Sequence, residues 1–184
     1  MSIVKIEDLS PGDVFVKDNF TYYKEPNLLF HVQTEFMCTK PYGIPRKSEY
    51  CKTDEQRSFI QLPLFNNELT RKLIILDEVF KKYLGDTYVS FIKSGKNDYE
   101  DFVKIKFDSN TKISILKDND YELINYKNIE QLKEQLKLFY YPVRFLICFK
   151  PWSYLNKKGV KIYATHIQGK SEGRHTIKPP ESFI

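Results

Sequence analysis

Residues 144–168 read RFLICFKPWSYLNKKGVKIYATHIQ, two β-compatible runs around an Asn-Lys-Lys-Gly turn. In the first run Phe145, Ile147 and Phe149 alternate with Arg144, Leu146, Cys148 and Lys150. A period of two sends the first set into a core and leaves a mixed polar and basic set outside. Strands are therefore expected over Val143 to Lys150 and Val160 to Gln168, joined by a turn at Asn156 to Gly159. The turn region exposes Trp152, Tyr154, Lys157, Lys158 and Lys161, and Tyr163 follows on the Lys161 side of the returning strand.

Working outward, Asn128 is a good N-cap for a helix carrying Ile129, Leu132, Leu136 and Phe139 on one stripe, and Pro142 stops it before the hairpin. A second helical period runs from Leu69 to Leu84 behind Asn66-Asn67 and ends at Gly85. The rest reads as strands. Ser10-Pro11-Gly12-Asp13 is a turn leading into Val14-Phe15-Val16, and residues 28–38, LLFHVQTEFMC, predict one long strand before the loop Pro41 to Pro45. Tyr88 to Ile92 predicts another. Residues 103–107 and 112–116 flank Asp108-Ser109-Asn110-Thr111 and predict a hairpin, with Lys104 and Lys106 facing solvent. Strands with one helix ahead of a final hairpin fit a mostly β chain with helices, a small antiparallel β-barrel of OB type. The expected domain covers residues 1–169, followed by an extended, mobile tail over 170–184.

The composition narrows the function. The 184 residues are 41% hydrophobic and 29% charged, and no stretch approaches the ~18 apolar residues of a membrane span. The N-terminus is too charged for a signal peptide, so an intracellular protein is expected. Cys38, Cys51 and Cys148 are an odd number at irregular spacing, which predicts reduced thiols rather than disulfides. The 24 Lys, 5 Arg, 17 Ile and a single alanine reflect A/T-rich codons. The formal charge of +5 is uneven: residues 144–184 carry +6 and the first 143 carry −1. A neutral body with a basic C-terminal quarter predicts a local surface for a polyanion.

Cations interleaved with flat rings suit single-stranded nucleic acid, because bases stack on aromatics while Lys and Arg neutralise phosphates. The expected contact residues are Arg144, Lys150, Trp152, Tyr154, Lys157, Lys158, Lys161 and Tyr163. The alternative for Trp152 and Tyr154 is packing. The strand ending in KPW, the short loop and NKKGVKIYATHIQ resemble the last two strands of the OB-fold single-stranded-DNA-binding proteins of nucleocytoplasmic large DNA viruses and certain tailed phages. That resemblance covers about 25 residues. It implies a β-barrel with an inserted helix whose basic aromatic groove binds single-stranded DNA in replication, recombination or repair. Such proteins often end in an acidic tail tipped by an aromatic residue. Here residues 177–184 read IKPPESFI, with one acid, so recruitment of replication proteins through the tip is in question.

Enzymatic readings find little support. There is no G-x-x-x-x-G-K-[ST] or G-x-G-x-x-G stretch, which removes the usual phosphate-cradling enzymes. His31, Cys38 and Cys51 lack metal-ligand spacing, Cys148 sits between Ile147 and Phe149 as an inert thiol, and Glu100-Asp101 and Asp118–Asp120 lie in solvated loops. No catalytic residue, metal or cofactor is expected. The competing class is a structural or scaffolding protein of a virion or replication assembly, in which the 13 Tyr and 14 Phe anchor interfaces and the chain self-associates.

Overall fold

Asn67 and Asn128 start the two α-helices, each accepting a hydrogen bond from the amide three residues on, Thr70 and Gln131. A computed structural model describes residues 2–171, and the part of the expected tail over residues 172–184 lies outside them. Helix α1 (Glu68–Leu84) buries Leu69, Leu73, Leu76 and Phe80 and ends at Gly85, whose φ of 84° suits a residue without Cβ. Helix α2 (Ile129–Leu136) buries Ile129, Leu132 and Leu136 and stops at Lys137 in the left-handed region. Phe139, expected on that stripe, falls beyond the helix and is exposed, while Leu138 takes a buried place.

Eleven strands are formed among the described residues: β1 (Ser2–Lys5), β2 (Val14–Lys17), β3 (Phe20–Tyr23), β4 (Phe30–Gln33), β5 (Phe59–Pro63), β6 (Tyr88–Val89), β7 (Phe102–Lys106), β8 (Lys112–Lys117), β9 (Asp120–Leu123), β10 (Val143–Tyr154) and β11 (Lys157–Lys170). Nine join one sheet along β1-β4-β10-β11-β7-β5, and β2-β3 form a separate ribbon. The chain is thus mostly β with two helices, one of them directly ahead of the last hairpin. The expected closed barrel is not what the sheet forms: among the described residues the end strands β1 and β5 are not paired with each other. One edge of β11 is shared by three short parallel partners, β6, β7 and β8, so the sheet branches where a barrel would continue as a single ring.

That branching overturns one expected hairpin. β7 and β8 do not pair with each other. Both run parallel to β11, at Ile162–Tyr163 and at His166–Lys170, while β7 pairs antiparallel with β5. The loop between them carries the chain onward instead of reversing it, because Thr111 Oγ1 donates to Ala164 O (2.7 Å) and pins the loop to β11. The hairpin in this region is β8–β9, whose turn residue Asp118 has φ 53°.

Two strands are shorter than the sequence predicts. β4 ends at Gln33 because, although the Thr34 amide still donates to Phe145 O (3.0 Å), the Thr34 hydroxyl accepts the Phe145 amide (2.9 Å) and donates to Glu35 O (3.0 Å), so the reciprocal backbone hydrogen bond of a ladder is not made. β6 ends at Val89 because Ser90 Oγ accepts the Ile92 amide and donates to Asp77 on α1 (2.6 Å). The final hairpin is longer than expected. Its turn is Leu155-Asn156, with Leu155 at φ 53°, so residues 152, 154, 157 and 158 belong to strands. Beneath it, Phe145, Ile147 and Phe149 meet Ile162, Ala164 and Ile167 in the core, where Phe149 lies 5.6 Å from Phe80 of α1.

Candidate nucleic-acid interface

The register of β10 on β11 sorts the expected contact residues by face. Directly opposed residues share a face of a sheet. Lys150 opposes Lys161, Cys148 opposes Tyr163, Trp152 opposes Gly159, Tyr154 opposes Lys157, and Arg144 opposes Gln168. Seven of the eight residues therefore stand on the outer face, away from Phe145, Ile147 and Phe149. Lys158 opposes Ser153 and takes the other face, its amide donating to Thr87 O (3.1 Å).

Four of the seven are held in place. The Trp152 indole lies across Gly159, where an added Cβ would fall 2.5 Å from Cζ2. Lys150 Nζ sits 3.8 Å from the centre of the Tyr163 ring, and the Tyr163 hydroxyl donates to Asp108 (2.6 Å). That hydroxyl holds the Asp108 carboxyl below its usual range, while burial and then Asp108 raise the pKa of Tyr163. Arg144, six residues and about 20 Å along the strand from Lys150, donates from Nε to Gln168 (2.9 Å) and stacks on Phe36. Tyr154 is 72% exposed and unconstrained by packing.

The tertiary structure extends this face with residues the sequence did not single out as contacts. Tyr163 is in register with Lys106 of β7, which places Lys106 and Lys104 beside Lys161 on the outer side. With Lys93, Trp152 and Tyr154 they line a concavity of about 430 Å³. Partial burial, followed by the charges of Lys161, Lys104 and Lys93, pushes Lys106 below the ordinary lysine value. Among the described residues no ion pair engages Lys93, Lys104, Lys106, Lys150, Lys157 or Lys161. On the neighbouring strand, Gln33 opposes Leu146, so His31 also lies on the outer side. Among the described residues its buried Nδ1 has no hydrogen-bond partner, and burial, His166 and Lys150 lower its pKa. The Lys104–Lys106 alternation was visible in the sequence; the parallel pairing that carries it beside the hairpin was not.

The chain is similar to a solved structure of the single-stranded DNA-binding protein from bacteriophage Enc34, with 12% identity over 92% of this chain and 97% of that one and a TM-score of 0.48. No family model matches the chain, and no curated protein matches it.

The arrangement has the chemistry of a binding face. The Cys148 thiol is held protonated by burial, and among the described residues no group of three or more His, Cys, Asp or Glu is placed to hold a metal. A face of unpaired ammonium groups with a propped indole and an exposed phenol can hold a phosphodiester backbone and stack its bases.

Proposed function

We propose that the chain is a non-enzymatic single-stranded-DNA-binding protein of low sequence specificity, built on an OB-like scaffold and acting in viral or phage-like DNA replication, recombination or repair. The observation that carries this reading is the hairpin register, which gathers Lys150, Lys157 and Lys161 with Trp152 and Tyr154 on one outer face. Lys104 and Lys106 broaden the cationic surface to β7. Stacking on Trp152 or Tyr154 requires a base whose faces are free, so unpaired strands are preferred over duplex. Stacking and phosphate contacts do not distinguish one base from another, so low sequence specificity is expected.

Titration of a labelled single strand and of the duplex of the same length tests the proposal. The single strand binds more tightly, with affinity falling steeply as salt is raised. Equal affinity for the two, or no binding at low salt, refutes it.

A further inference from the structure

The concavity between the hairpin tip and β7 differs in character from the rest of the outer face. Its floor is apolar, formed by the buried Phe91, Val160 and Ile162, and Trp152 and Tyr154 wall it on the hairpin side. Lys93, Lys104, Lys106 and Lys161 are among its lining residues, with Lys104 Nζ 4.7 Å from the centre of the Phe59 ring, and none of the lining residues is acidic. Four mutually repelling ammonium groups around an apolar floor select a ligand that is anionic outside and flat and apolar inside. A nucleotide within a strand has that form.

Resting on the single-strand reading above, we infer that this groove is a slot for one nucleobase, inserted against Trp152 and Tyr154, with the flanking phosphates held by the four lysines. Lys104 and Lys106 stand about 7 Å apart along β7, on the far side of the groove from the hairpin. Base identity is read little, because Ser90 Oγ is already engaged by Asp77 and the Ile92 amide, leaving Ser153 as the only other aliphatic hydroxyl in the lining. A paired base cannot enter without leaving its stack, so the slot itself rejects duplex.

The test compares a twelve-residue oligothymidylate with a twelve-residue abasic phosphodiester strand of the same charge, using the full chain at low salt. The slot predicts that oligothymidylate binds about 5- to 150-fold more tightly, the equivalent of one stacked base, and quenches the emission of Trp152, whereas the abasic strand does not. The double variant K104A/K106A is expected to weaken binding of both strands. Equal affinity for the two strands with unchanged emission overturns the slot and leaves a charge-based interface standing. Quenching by oligothymidylate with undiminished affinity in the double variant also overturns it, by placing the base on the hairpin outside the groove. Failure of both strands to bind overturns the single-strand reading itself.

Discussion

Gly159 shows how one position sets the geometry of another across the hairpin. It carries no Cβ because the Trp152 indole occupies that space. In Gly159→Ala the ring is displaced toward solvent, so Trp152 emission shifts to the red. Single-strand affinity falls toward that of Trp152→Ala, which itself costs ~1–3 kcal/mol of binding. The strand does not require glycine at this φ, so the melting temperature of Gly159→Ala changes little. A large drop in melting temperature in either variant would assign Trp152 to the core. His31 supports a second prediction at this scale. Burial favours its neutral form, so the unfolded chain takes up the proton first. Its contribution to stability is complete above about pH 6.5 and drains as the pH falls through that value toward the lower folded one. His166 is lowered in the same direction by burial and Lys112. Thermal melts between pH 7 and 5 should therefore show a falling melting temperature, and His31→Gln should flatten the fall. An unchanged slope would show that His31 is not held neutral.

At the scale of elements, helix α2 depends on a tether as well as on its apolar stripe. Arg57 is 2% exposed; its guanidinium donates to Pro45 O (3.0 Å) and to Glu130 in the first turn of α2 (2.6 Å), with Asp54 3.9 Å away. The pairing holds the Glu130 carboxyl below its usual range. Arg57→Ala removes the hydrogen bonds and leaves space where the stem packed, a loss of about 2–3 kcal/mol measurable by urea unfolding. A change below about 0.5 kcal/mol would show the tether to be dispensable. Helix α1 and the start of α2 were legible in the sequence almost to the residue, because Asn67, Asn128 and Gly85 are local signals and the 3.6-residue stripes are dense, whereas α2 stops three residues short of Phe139, where its stripe was expected to run. The pairing of β7 and β8 was not legible. Each has strand-like alternation and a polar turn stands between them, but the hydroxyl that pins Thr111 to Ala164 reaches across 53 residues. Thr34 ends β4 in the same way, through Phe145, 111 residues distant.

For the whole molecule, the division of the hairpin lysines between two faces makes the salt dependence diagnostic. Lys157 and Lys161 stand on the outer face and Lys158 on the other. The double variant K157A/K161A should lower the slope of log K against log salt by about 1.4 on single strands, with no new base preference, and Lys158→Ala should leave it unchanged. Equal effects of all three would mean that the strand wraps the hairpin tip instead of following one face. The sequence by itself determined the two helices, the final hairpin and the cation–aromatic character of its exposed side, because caps, turns and side-chain alternation act over a few residues. Only the tertiary structure decided that the sheet branches along β11 and stays open, that Lys158 parts from its neighbours, and that Lys93, Lys104 and Lys106 join Trp152 around one groove. Those outcomes depend on which strands compete for a shared edge, and that competition is settled by hydrogen bonds and packing between residues far apart in the chain.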